Sequence, residues 1–250
     1  ELPSLKNQEV KEMEKDSFLP DSCLSINAYL GASVIVKALD EGADIVITGR
    51  VVDSALVLGP LMHEYHWKIS DYDLLSAGSL AGHIIECGAQ CTGGNYTDWE
   101  KVKGFENIGF PFVDVFSNGD FIVSKPKETG GMVTFGTVAE QLIYEIGNPS
   151  EYILPDVICD FSEVKIAETG SNQVLVTGAR GFPPTKYYKS SATFMEGYRS
   201  TGTLVIGGKD AFKKGEVIAN AIIKKCSLIF KENKMGSFSK TSFDIVGSNS

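Results

Sequence analysis

Histidine is nearly missing from this chain, at three residues in 250, and no apolar run approaches the ~20 residues a membrane-spanning helix needs. The first shortage confines imidazole chemistry to a few positions, and the second excludes a transmembrane helix. Basic charge is short as well. Lys and Arg number 23 against 32 Asp and Glu, a net charge of −9, which argues against nucleic acid because phosphate binding needs clustered cations. The one basic cluster of note, Lys213-Lys214 with Lys224-Lys225, falls on an expected helix and reads as a solvated face. Five cysteines, odd in number and scattered, make no disulfide framework and point to a reducing compartment. The opening residues are polar, without the apolar core of a signal peptide. Cytoplasmic localisation is the expectation, with an organelle left open because the N-terminus looks incomplete.

Several site signatures are absent too. There is no Gly-x-Ser-x-Gly elbow, no Walker loop and no dinucleotide fingerprint, which argues against a nucleotide-dependent oxidoreductase. His83 lacks further ligands at matching spacing, so no metal and no resident cofactor are expected. His63 and His66 end a helix, where a cation complements the dipole.

What remains is a globular α/β composition, 43% hydrophobic and 22% charged. Residues 1–22 read as a polar lead-in. An α/β unit with parallel-type βα character follows over 23–108. It holds a helix over 31–41 closed by Gly42, a β-branched run at 43–48 that predicts a buried strand, and a helix over 54–66 with Asp53 as a fitting N-cap. A further helix is expected from about Tyr72 to Cys91. Residues 109–250 read as a mixed α+β unit with hairpins. Asn118-Gly119 has type I′ turn chemistry, and Thr137 to Glu140 has capping-box spacing. A second hairpin is expected around Thr169 to Asn172, a strand at Leu204-Val-Ile, and an amphipathic helix over 210–230. Ser242 to Ser248 reads as a strand entering a glycine turn, which predicts that the fold continues past this chain and that the chain is a fragment of a larger one.

Candidate chemistry lies at the expected strand ends. In open α/β sheets ligands sit there, against helix N-termini whose free amides favour anions. Thr48, Gly49 and Arg50 are candidates to bind an anionic small molecule, Arg50 as a guanidinium fork, and Asp53 is a candidate base as well as a cap. Thr92, Gly93 and Gly94, and again Thr129, Gly130 and Gly131 with Lys125 just before them, could bring backbone close to a ligand or simply turn the chain. His83 and Glu86, three residues apart on one helical face, suit proton transfer.

Taken together, several segments resemble the acyclic terpene utilisation family, N-terminal domain type. They are Asn27-Ala-Tyr-Leu-Gly-Ala32, Gly42 to Arg50 with Asp53, and Ala77 to Gly94, which includes Gln90. Gly109-Phe-Pro111, Lys125-Pro with Thr129 to Gly131, the helix from Thr137 to Tyr144, Pro155-Asp-Val157 and Thr177 to Gly181 continue it in order. The resemblance brings Asn27 and Gln90 into the candidate ligand-binding set. It implies a role in catabolism of branched acyclic terpenoids such as citronellol and geraniol through coenzyme A thioesters. It also implies further α/β units before Asn27 and a continuation past Ser250. The expected function is an enzyme or enzyme subunit acting on a branched acyl-CoA or carboxylate, by hydration, lyase or carboxylation-linked chemistry. The alternative is a non-catalytic structural or ligand-sensing subunit. A homo-oligomer and a place in a catabolic complex both stay open, and a coenzyme A thioester enters as substrate.

Overall fold

The helix at Tyr72–Glu86 has no exposed face through its middle, since every residue from Leu75 to Ile84 is buried. A helix closed off all round belongs to an interior, and truncating Leu80, fully buried here, costs about 2–5 kcal/mol by the usual loss of contact plus cavity. The computed structural model describes residues 22–247, so all but the last residue of the polar lead-in lies outside the described residues. It is mixed α/β. Contacts divide it into two compact units, one running to Met195 and the other beginning at Glu196.

The first unit holds β1 (Ser25–Ala28), α1 (Ser33–Asp40), α2 (Ala55–Tyr65) and α3 (Tyr72–Glu86). Next come β2 (Phe112–Val115), β3 (Phe121–Ser124), α4 (Phe135–Ile143), β4 (Tyr152–Ile153) and β5 (Ile158–Asp160). β6 (Lys165–Gly170), β7 (Gln173–Thr177), β8 (Arg180–Phe182) and β9 (Ser190–Thr193) complete it. The strands form a four-stranded sheet in the order β2-β3-β7-β6, a three-stranded sheet β4-β5-β8 and the pair β1-β9. α3 is the hub, packed against α2, α4, β2, β5 and β8. At Gly82 it runs so close to the turn before α2 that an added Cβ would lie 2.8 Å from the Ser54 backbone. That approach brings the next residue, His83, to the same cleft as Asp53. Among its described residues the second unit contains one helix, α5 (Ala211–Glu232).

Every ladder between named strands is antiparallel, and parallel pairing among the described residues is limited to isolated bridges, Leu30 with Val51 and Ile108 with Gly130. The run at 43–48 is not a strand: Ile45 and Ile47 are 81% and 92% exposed. β propensity needs a hydrogen-bonding neighbour, and no strand pairs with this run among the described residues. Residues 204–206 and 242–246 are irregular as well.

Three local expectations are corrected by hydrogen bonding. Asn118 does not take positive φ, so the β2–β3 turn is not type I′. Instead the Gly119 amide donates to the Phe116 carbonyl and Gly119 alone is left-handed, at φ 89°, the three-residue hairpin form. α4 starts earlier than expected because Thr134 is its N-cap, with Thr137 as the reciprocal partner of a capping box. Ser54, not Asp53, is the N-cap of α2 and makes no side-chain capping bond, which leaves the Asp53 carboxylate for other work. The second hairpin, β6–β7, turns at Asn172 with φ 55°, and Gly42 follows α1 at φ 83°, both as expected.

Candidate functional site

Asp53, His83 and Glu86 line one cleft of about 430 Å³, with Glu145, Tyr152, Tyr29, Tyr187 and Lys189 also on its walls. That volume suits a small organic ligand or the reactive end of a larger one. Each wall comes from a different element. His83 and Glu86 sit on the last turn of α3, Asp53 just before α2, and Glu145 just after α4. Tyr152 lies in β4. Tyr29 and Lys189 flank the β1–β9 ladder, where the Tyr29 amide donates to the Lys189 carbonyl at 2.9 Å.

His83 is 3% exposed, and its Nδ1 is 2.8 Å from Glu86 Oε1. A carboxylate only accepts, so Nδ1 carries the shared proton, and the tautomer that this selects has its lone pair on Nε2. That Nε2 is buried with no hydrogen-bond partner among the described residues. The backbone is fixed from behind, since Gln141 Nε2 donates to the His83 carbonyl at 2.9 Å. A buried polar atom with no partner is costly unless a ligand uses it.

Tyr152 faces the imidazole with ring centres 6.3 Å apart. Burial, aided by the Glu86 charge, pushes its phenol up to about 12, so the hydroxyl remains a donor. Burial acts on the thiols in the same direction. Burial pushes Cys91 and Cys159 up to about 12 and raises Cys87, so none is held as a thiolate nucleophile. Among the described residues no disulfide joins any of the cysteines.

Glu145 sits at φ 59°, in the left-handed position that follows a helix and that glycine usually fills. Its carboxylate reaches the cleft at the expense of backbone strain. The cleft's other carboxylates, Asp53 and Glu86, are opposed by one lining cation, Lys189. Arg50 lies behind it, its guanidinium carbon 5.3 Å from the Tyr29 ring centre, with Lys189 Nζ at 5.4 Å from the same ring.

The other expected site residues lie elsewhere. Thr48 is half-buried and Gly49 exposed on the irregular run before Arg50, and Asn27 is exposed on β1 opposite Ser191. The two Thr-Gly-Gly loops pack on each other. Gly130 and Gly131 amides donate to the Asn107 and Lys103 carbonyls, Gly93 and Gly94 amides to those of Gln90 and Ala89, and the Met132 amide to that of Thr92. The buried Thr92 hydroxyl donates to the Gly109 carbonyl at 2.5 Å. Lys125 Nζ donates to the Thr129 carbonyl at 2.6 Å, and the Thr129 hydroxyl to that of Pro126. His63 pairs with Asp40 at 2.6 Å, tying α2 to α1.

Sequence reasoning did not single out Tyr29, Glu145, Tyr152 or Lys189. Tyr29 lies inside one of the motifs above, whereas Glu145 and Lys189 have no local signal, since a loop's destination decides their role. In a second cavity of about 180 Å³, under the β2–β3 turn, Asp73 accepts from the Gly181 amide and Asn118 donates to Asp120. Among the described residues no group of three or more His, Cys, Asp or Glu is placed to hold a metal ion, and no helix is long and apolar enough to cross a membrane.

Comparison with curated proteins and with solved structures gives no significant match. The family model described as acyclic terpene utilisation family protein AtuA matches residues 2–250. With that match over nearly the whole sequence, the chain belongs to the acyclic terpene utilisation family.

Proposed function

We propose that this protein is a catabolic enzyme, or an enzyme's catalytic subunit, that moves a proton next to the carbonyl of a branched acyl thioester in acyclic terpenoid breakdown. The observation that carries this reading is His83: an imidazole held by a carboxylate on one side and offering a buried, unclaimed Nε2 on the other. That is the arrangement of an oriented general base, with Glu86 stabilising the imidazolium once the proton arrives. The Tyr152 hydroxyl, kept protonated, is the donor suited to the negative charge that gathers on the thioester oxygen as the enolate forms. Asp53 and Glu145 are available to relay the proton or to direct water. Hydration, elimination and carboxylation next to a thioester all pass through such an enolate-like charge, so one apparatus serves each of them.

Family membership supports the pathway, and the cleft supports the chemistry. The test is calorimetric titration of the full-length protein with a panel of short and branched acyl-CoAs, followed by turnover assays on those that bind. His83→Asn keeps a group at the Nδ1 position for Glu86 but removes Nε2. It is expected to bind normally and to lose roughly 10²–10⁴-fold in turnover, the usual contribution of a positioned base. Absence of binding across the panel, or full turnover by His83→Asn, defeats the proposal.

The competing reading is a non-catalytic subunit. The exposure of Ile45 and Ile47 favours it, as adjacent apolar side chains in water mark a surface that pairs with something. Turnover by the isolated protein decides against it.

A further inference from the structure

The last turn of α3 does not close on itself. In a regular helix the His83 carbonyl accepts from the Cys87 amide, but here that amide donates to the Ile85 carbonyl. The carbonyl so released is taken up from another element: Gln141, on α4, donates to it through Nε2 at 2.9 Å. The Cys87 thiol lies against the same side chain, so Gln141 reaches both residues that the open turn leaves apart.

Gln141 is 1% exposed, and its Oε1 is buried with no hydrogen-bond partner among the described residues. A buried amide that leaves its oxygen unpaired is a poor way to stabilise a helix end, because the unmade bond offsets the one that is made. An apolar side chain of the same volume would avoid that cost. What the amide does achieve is to tie the turn that carries His83 to a different helix. α4 is a firm base for that hold, since Thr134 and Thr137 close a capping box at its start and Val138 and Leu142 are buried on either side of Gln141. The bond from His83 Nδ1 to Glu86 spans the same open turn, so its geometry depends on how the turn is held.

We infer that Gln141 is a positioning residue for the proton transfer: by holding the His83 carbonyl from α4, it sets the last turn of α3 and with it the direction of the imidazole in the cleft. This rests on the acid–base reading of His83 and adds to it a residue that is not among those lining the cleft.

The test uses two variants. Gln141→Met keeps the length and volume and removes both polar atoms. Gln141→Glu places a carboxylate that cannot donate to a carbonyl, but a carboxylic acid that can. With the full-length protein and 3-methylbutanoyl-CoA in D2O, Gln141→Met is expected to lose roughly 10–10²-fold in deuterium exchange beside the carbonyl, the scale of a misplaced catalytic group. Its thioester affinity and urea midpoint are expected to stay near those of wild type. Gln141→Glu is expected to match it at high pH and to recover, as a ratio to wild type, as pH falls and the new carboxyl takes up its proton. The ionisable groups around this position are His83, Glu86 and Cys87 at the end of α3, with Tyr144 and Glu145 just past α4. Burial and the two native carboxylates raise the introduced one, which moves the recovery toward neutral pH.

Histidine-selective 15N spectra, with three residues to assign, read the ring without any turnover. His83 is expected as the Nδ1–H tautomer in wild type and as a mixture of tautomers in Gln141→Met. Exchange by Gln141→Met at the wild-type rate, a loss matched by weaker thioester binding, or a Gln141→Glu ratio that is flat with pH overturns the inference. The two readings fail separately. If wild type shows no exchange, the acid–base reading falls and the spectra decide alone: a changed His83 tautomer in Gln141→Met leaves the positioning role standing, and an unchanged one sinks it as well.

Discussion

The Asp156 carboxylate accepts a hydrogen bond from the Ala32 amide at 2.8 Å, from 124 residues away, and fills the space that a side chain on Gly31 would need. α1 has no capping bond from its own N-cap, so this distant carboxylate takes that task, bonding the Ser33 amide as well. Removing it in Asp156→Ala is expected to cost about 1–2 kcal/mol, a typical helix-cap loss. Burial raises the Asp156 carboxyl above its ordinary value, more than the two amides lower it. A raised folded-state pKa means the native protein holds the proton more tightly. The associated stability is present below the unfolded carboxyl's pKa, near ~4, and is lost as pH rises through the higher folded value. Urea unfolding at a series of pH values should therefore show wild type losing stability relative to Asp156→Asn across that window, then running parallel to it. A relative gain with rising pH contradicts the assignment.

The interlocked Thr-Gly-Gly loops give a stability prediction. Gly131 has φ 81°, and a Cβ there would lie 2.6 Å from the Thr92 carbonyl oxygen. Gly147 has φ 70° with nothing within 4 Å. Gly131→Ala should cost about 2–4 kcal/mol, combining backbone strain with overpacking, and Gly147→Ala only about 1 kcal/mol. Equal costs in chemical denaturation would show that the loops do not brace each other.

Glu145 carries strain that glycine would relieve. Glu145→Gly is expected to raise stability by about 0.5–1 kcal/mol, since the left-handed conformation is free for glycine. Turnover should fall in the same variant, because the cleft loses a carboxylate. A variant that is less stable, or as active as wild type, removes Glu145 from the site.

Tyr152→Phe deletes only the hydroxyl that faces the reacting carbonyl in this account. Its expected effect is a loss of roughly 10²-fold or more in turnover with little change in binding, as for other oxyanion donors. Unchanged turnover dismisses the phenol from that role.

Much of this was legible in the sequence, and the limits are physical. Helix periodicity located α1, α2, α3 and α5, and the pairing of β2 with β3 followed from alternation around Asn118-Gly119. The spacing of His83 and Glu86 within one helix was enough to pair them, because i and i+3 share a face whatever the fold. Strand expectations at 43–48 and 204–206 went astray because β-branched composition says nothing about whether a neighbour is present to bond. Tyr152, Glu145 and Lys189 could not be read at all. They reach the cleft from β4, from a helix end and from the approach to β9, and only the packing around α3 brings those segments together.

The central claim, that His83 moves a proton beside a thioester, is tested most directly by exchange. 3-Methylbutanoyl-CoA is incubated in D2O with the full-length protein, and deuterium at the carbon next to the carbonyl is followed by NMR or mass spectrometry. The account predicts protein-catalysed incorporation that disappears in His83→Asn while binding of the same thioester persists. No incorporation above background, or incorporation undiminished in that variant, contradicts it.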